Sequence, residues 1–192
     1  MARPVRLIKP LERVIHEGHP WVYRDALEPH HAQPGETVTV QDKRGRFVCR
    51  GHADSGPIAV RVWTTEDESL ARLYSTRFAE ALALRAWIRP PDSSAYRLVH
   101  GEADRMPGCV VDRYDSVAVM RLDGEGATAL REPLILAAEP HLRALGIETL
   151  LWRVGRKQQT EVHAAFGSLP EKPVVVTERG TKLVADLLHG QK

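Results

Sequence analysis

Apolar positions follow two different periods along the chain, and the change between them divides it. Before residue 64 they alternate. Val5 and Leu7 flank Arg6, Val38 and Val40 share a face of residues 37–41, Phe47 and Cys49 share one of 46–50, and Ile58, Val60 and Val62 line 58–63. A period of two predicts half-buried strands. Asp42-Lys43-Arg44-Gly45 joins two of them as a hairpin. Short strands, Gly and Pro punctuation and no long helix predict a small β-barrel. After the polar, acidic run 64–68 the period lengthens. Leu70, Leu73, Tyr74, Phe78, Leu82 and Trp87 recur at close to helical spacing, which predicts a helix over 70–88. Thr65 or Asp67 is the expected cap, and Arg89-Pro90-Pro91-Asp92 the stop. The domain boundary is expected near residue 68, giving domains 1–68 and 69–192.

The second part mixes both periods. Strands are expected at 96–100, at 109–113 and 116–121 around a Tyr114-Asp115 turn, and at 149–154. A helix is expected over 127–145, with Pro133 in its first turns and Gly146 at its end. Residues 174–177 and 182–185 flank Glu178-Arg179-Gly180 as a further hairpin. The fold class is therefore α+β, with an N-terminal barrel followed by an α+β domain.

Composition narrows the function little. The 192 residues are 43% hydrophobic and 27% charged, which excludes a wholly disordered chain. A net charge of +2 permits nucleic-acid binding without requiring it. No stretch approaches the roughly 20 apolar residues of a membrane span, and no signal peptide is apparent. Cys49 and Cys109 form neither a disulfide framework nor a metal spacing, so a reduced, cytoplasmic setting is expected.

Three segments have the residue types for chemistry. In Gly18-His19-Pro20-Trp21-Val22-Tyr23-Arg24, His19 and Trp21 can stack on an unpaired base while Arg24 meets a phosphate; equally, Trp21 can close the barrel end as core. Lys9 and Arg13 near the start and Lys43, Arg44, Arg46 and Arg50 on the hairpin form a basic set, Arg46 and Arg50 sharing one strand face, which suits a phosphate track or a solvated surface. Arg3 and Arg6 add to it, while Glu12, Glu17, Asp25 and Glu28 weaken its field. In the third segment, His100, Glu102, Asp104 and Asp112 offer a metal or acid–base set, or a turn-rich connector whose acids pair with Arg105 and Arg113. Cys109 is expected in the core, and Gly124-Glu125-Gly126 lacks the third glycine of a nucleotide loop.

Three blocks carry a family resemblance: 18–23 (GHPWVY), 96–114 (YRLVHGEADRMPGCVVDRY) and 186–192 (DLLHGQK). In this order and spacing the chain resembles the class I S-adenosylmethionine-dependent large-subunit (23S) rRNA methyltransferases of the cytosine-C5 type that begin with a PUA domain. The resemblance implies a PUA-like RNA-binding barrel and a central α+β domain that presents substrate through His100, Glu102, Asp104 and Arg113. It also implies that a C-terminal Rossmann-like domain binds S-adenosylmethionine and supplies a nucleophilic cysteine. That domain is expected to be missing here, and to dock on the central domain where present. Cytosine-C5 transfer needs a thiolate, a sulfonium donor and a base; none is assignable in 1–192. The expected partner is ribosomal RNA, no cofactor or metal is expected in this chain, and a homodimer stays open. Two competing readings are a small metal-dependent hydrolase built on His100, Glu102, Asp104 and Asp112, and a protein-interaction module.

Overall fold

The computed structural model describes residues 2–154 and 161–190. Two five-stranded sheets dominate it. The first contains β1 (Arg3–Arg6), β2 (Trp21–Tyr23), β3 (Thr37–Gln41), β4 (Phe47–Ala53) and β5 (Ile58–Thr64), in the order β1-β3-β4-β5-β2. Only β1 and β3 pair in parallel. A one-turn helix, α1 (Glu12–His16), lies between the edge strands in sequence. The alternation works as expected: Val5, Val22, Val38, Val40, Val48 and Val60 form one apolar core.

The expected barrel does not close. Past the ends of edge strands β1 and β2 the chain meets itself through one isolated bridge, Leu7 to Leu27, supported by Ile8 N–H to the Ala26 carbonyl and Glu28 N–H to the Arg6 carbonyl. With four and three residues, these strands are too short to make a closing ladder. Strand β4 is buried along most of its length on both faces, so it does not show simple alternation. A bulge between Arg50 and Gly51 sharpens its path, and a Cβ at Gly51 would lie 2.1 Å from the Arg61 carbonyl oxygen.

Helix α2 (Leu70–Ile88) occupies its predicted span, burying Leu70, Leu73, Tyr74, Phe78 and Ala81 together with Arg77 and Arg85. Its cap is Ser69, without a side-chain bond, instead of Thr65 or Asp67, because the helix begins at Leu70 and both lie ahead of the capping position. The second sheet contains β6 (Ala95–His100), β7 (Cys109–Tyr114), β8 (Val117–Leu122), β9 (Thr149–Val154) and β10 (Glu161–Phe166), in the order β10-β9-β8-β7-β6. Only β8 and β9 run parallel. The single helix expected over 127–145 is two, α3 (Glu125–Ala129) and α4 (Arg131–Ala144). Pro133 has no N–H for the Ala129 carbonyl, and its ring crowds that oxygen, so the helix restarts with Pro133 in its first turn.

Helices α2 and α4 cover one face of this sheet over Val111, Ala118, Met120 and Leu150. The opposite face carries Val117, Val119 and Leu151, covered in part by Leu187 and by the hairpin β11 (Val174–Glu178) and β12 (Thr181–Ala185). None of the helices among the described residues is long and apolar enough to cross a membrane.

Candidate nucleic-acid interface

The two sheets meet along a polar seam centred on Arg61 of β5. Ala59, Arg61 and Trp63 share one face of that strand, so the guanidinium leaves the first sheet between two apolar neighbours. It bonds to Asp54 at 2.8 Å, Glu102 at 2.7 Å and Asp123 at 3.4 Å. Glu102 also accepts the Trp21 indole N–H at 3.0 Å. Burial alone would raise the Glu102 carboxyl, but Trp21, a backbone N–H and Arg61 outweigh it and hold it below the ordinary range. Asp54 behaves alike: burial opposes ionisation, and Arg61 with the Gly126 and Ser55 N–H groups overcomes it. Close beneath, Trp63 donates its indole N–H to His52 Nδ1 at 2.8 Å. Burial pushes His52 down to about 4, and its Nε2 is buried without a hydrogen-bond partner.

Gly124 and Gly126 explain why the sheets can approach so closely. A Cβ at Gly124 would sit 2.3 Å from Asp54 Oδ2, and one at Gly126 would sit 2.4 Å from the Ala53 carbonyl oxygen. This glycine pair is filled by the first sheet and does not fit a nucleotide cofactor. Neither thiol is placed for nucleophilic work: Cys49 and Cys109 are buried, and burial pushes both up to about 12.

The aromatic segment lies at the edge of the seam. His19 and Trp21 meet edge to face at 6.2 Å, and Trp21 and Tyr23 at 6.5 Å. Trp21 is half-buried and bonded across the seam, while His19 and Tyr23 are exposed. Arg24 reaches back to the carbonyls of Asp54 and Gly56. Most of the expected basic face is paired: Lys9 with Asp25, Arg13 with Glu17, Arg46 with Asp42, and Arg50 with Asp67 and the Glu68 carbonyl. Lys43 and Arg44, in the β3–β4 turn, are exposed, and their side chains make no bond among the described residues.

The third segment is a set of arginine–carboxylate pairs. Arg85 grips Asp104 with two bonds of 2.7 and 2.6 Å, Arg97 holds Asp112 at 2.9 Å, and Glu102 belongs to Arg61. His100 Nδ1 faces Arg97 Nη1 at 3.3 Å, and Arg113 donates to the Asp115 carbonyl. Three or more metal-ligating side chains do not converge anywhere among the described residues. The hydrolase reading therefore fails: cations already satisfy its acids. Exposed apolar residues on α2 (Leu84, Trp87, Ile88), on α4 (Leu136) and on the β11–β12 hairpin (Val175, Val184) are what recommends the interaction-module reading.

Beside the seam opens a cleft of about 850 Å³, lined among others by Arg61, Arg121, Asp123, Trp152 and Arg153. One sign of this centre is legible in the sequence, the lone charge Arg61 within strand β5.

Residues 5–65 match the family described as PUA-like domain. The chain carries a PUA-like domain. Beyond the PUA-like domain, the likeness extends over the whole chain. It is homologous, at 32% identity over 203 residues, to "Ribosomal RNA large subunit methyltransferase I" of Escherichia coli, and at 31% over 199 residues to the protein of the same name from Shigella boydii. Each match takes in 98% of this chain and 50% of the relative, so the chain spans about half the length of the curated relatives it matches. Among solved structures, a Streptococcus mutans protein assigned as a SAM-dependent methyltransferase shares the fold at a TM-score of 0.80 with 13% identity, over 98% of this chain and 49% of that one. A protein assigned as a methyltransferase and solved with SAH matches at 0.81 with 14% identity, over all of this chain and 49% of that one. Of the third resemblance block, Gln191 and Lys192 lie outside the described residues.

Proposed function

We propose that this chain is the RNA-binding and substrate-presenting portion of an S-adenosylmethionine-dependent 23S rRNA cytosine-C5 methyltransferase of the cytoplasm. One observation carries the reading: nearly the whole chain aligns with about half of a large-subunit rRNA methyltransferase. Residues 1–68 act as the PUA-like RNA-binding domain and 69–192 as the central domain. Methyl-donor binding and the reactive cysteine belong to the part of the relatives that this chain does not match. The inert setting of Cys49 and Cys109 agrees with that division.

In this reading the exposed rings of His19 and Tyr23 stack on unpaired bases, with Trp21 fixing their strand to Glu102. Lys43 and Arg44 supply mobile phosphate contacts. The Arg61 seam keeps the two domains in one fixed relation, so RNA held by the first is offered at a set angle beside the second.

Two titrations test the proposal. Fluorescence anisotropy with 23S rRNA fragments should give binding on the order of micromolar or weaker that falls steeply as salt rises. Calorimetry with S-adenosylmethionine should give no heat of binding. RNA affinity independent of salt, or measurable affinity for the methyl donor, overturns the reading.

A further inference from the structure

Arg121 and Arg153 stand side by side with no acid between them among the described residues. Parallel strands β8 and β9 place Arg121 opposite Arg153, and Arg121 alternates with Val117 and Val119 on the face turned away from the helices. Like charges at directly opposed positions destabilise a sheet. Arg121 is exposed and bonds to no other residue of the described chain. Arg153 directs Nη2 to the carbonyls of Leu187 at 3.3 Å and Gly190 at 3.4 Å, and its Nε is buried with no partner. The nearest acid along β8, Asp123, faces Arg61 at 3.4 Å. Both arginines line the cleft of about 850 Å³, a volume within the roughly 300–1,000 Å³ of ligand sites.

An uncompensated cation pair in an open cleft calls for an anion. Arg61 lines the same cleft and shares Glu102 with Trp21, so the pair and the aromatic trio flank one seam. Cations for the backbone beside rings for the bases is the arrangement that suits a single strand. We infer that the Arg121–Arg153 pair holds a phosphodiester of single-stranded RNA lying in the cleft between the two sheets. The inference rests on the RNA-binding reading above and adds the site to it.

The test uses the full chain and a 5′-labelled single-stranded ribo-oligonucleotide, with anisotropy followed across a salt series. Arg121→Gln should weaken binding roughly three- to ten-fold near 0.1 M salt and lower the slope of log K against log salt by about 1. Arg121→Lys should restore the slope, since a point charge releases the same counterion. Thermal midpoints of Arg121→Gln should not fall below the wild-type value, because Arg121 is exposed and its removal relieves the like-charge contact with Arg153. Wild-type binding with an unchanged slope in Arg121→Gln, or no recovery in Arg121→Lys, overturns the cleft site and leaves the RNA reading standing. Failure of the wild-type chain to bind at low salt overturns both. Inorganic phosphate should compete no better than chloride at equal ionic strength; selective displacement by phosphate assigns the pair to a free anion and refutes the RNA site.

Discussion

Arg61 and Arg46 both hold aspartates, and they do opposite things. Arg46 reaches Asp42 four residues back across a turn, and its side chain remains 70% exposed. Arg61 has a side chain only 8% exposed and gathers partners 7, 41 and 62 residues away. A pair made by chain neighbours in water contributes about 0–1 kcal/mol and leaves the cation able to exchange partners. A buried group shared by two sheets fixes their relation, because withdrawing it strands an acid out of water. Charges of the first kind serve a mobile surface; those of the second make a joint.

The sharpest way to break this contrast is Arg61→Met. It keeps an apolar stem and leaves Asp54 buried without its cation, so unfolding stability should fall by about 3–5 kcal/mol, read from the urea midpoint. Arg46→Met should cost less than about 1 kcal/mol on the same measurement. Equal losses in the two variants would dissolve the distinction between joint and surface.

The joint should also have a pH signature. His52 lies under Gly126, whose Cβ position is 2.7 Å from its ring. Burial is the main cause of its depressed pKa; Arg61 adds to it, and Asp54 and Glu102 oppose it. The unfolded chain therefore takes up this proton first. Stability is complete above the ordinary value of 6.5, falls as pH drops from 6.5 to about 4, and loses no more to this group below that. The loss should reach roughly 3 kcal/mol. Asp54 and Glu102 are depressed carboxylates, so their contribution is present above the ordinary 3.8 and 4.5 and disappears only under more acid conditions. Thermal midpoints across this range should slope in the wild-type chain. In His52→Asn, which retains an acceptor for the Trp63 indole, most of that slope should go, leaving the smaller part due to His30, whose pKa burial also lowers. An undiminished slope would place the titrating group elsewhere.

The same division decides what the sequence disclosed. Period-two and helical patterns placed β3, β5, α2, β7, β8 and both terminal hairpin strands, because each buries a face along its own length. The short elements α1 and β2, and strand β10 with its exposed residues, were missed because few side chains there carry a period. A barrel was expected from short strands, Gly and Pro punctuation and the lack of a long helix in the first third, yet edge length governs closure. Site residues divided in a comparable way. His100, Glu102, Asp104 and Asp112 stood out by proximity in sequence, but Arg61, Arg85 and Arg97 claim the acids from other strands and a helix. Pairing across tens of residues leaves no local trace. The sole hint of the seam was Arg61, the single charge in strand β5.

The smallest expected effect tests the surface side of the contrast. Lys43 and Arg44 extend from the β3–β4 turn unpaired, whereas Arg46 and Arg50 beside them already hold acids. Reversing the free pair with Lys43→Glu and Arg44→Glu should leave the urea midpoint within about 0.5 kcal/mol yet weaken RNA binding across all sequences and flatten its salt slope by up to about 2. Reversing Arg46 and Arg50 instead should disturb stability more and the salt slope less, since those guanidiniums must release Asp42 and Asp67 before they can meet a phosphate. If the second double variant abolishes the slope and the first leaves it intact, the phosphate track runs along the β4 strand face. A paired surface cation then counts as fully as a free one, and occupancy in the unbound chain ceases to be a guide to where RNA lies.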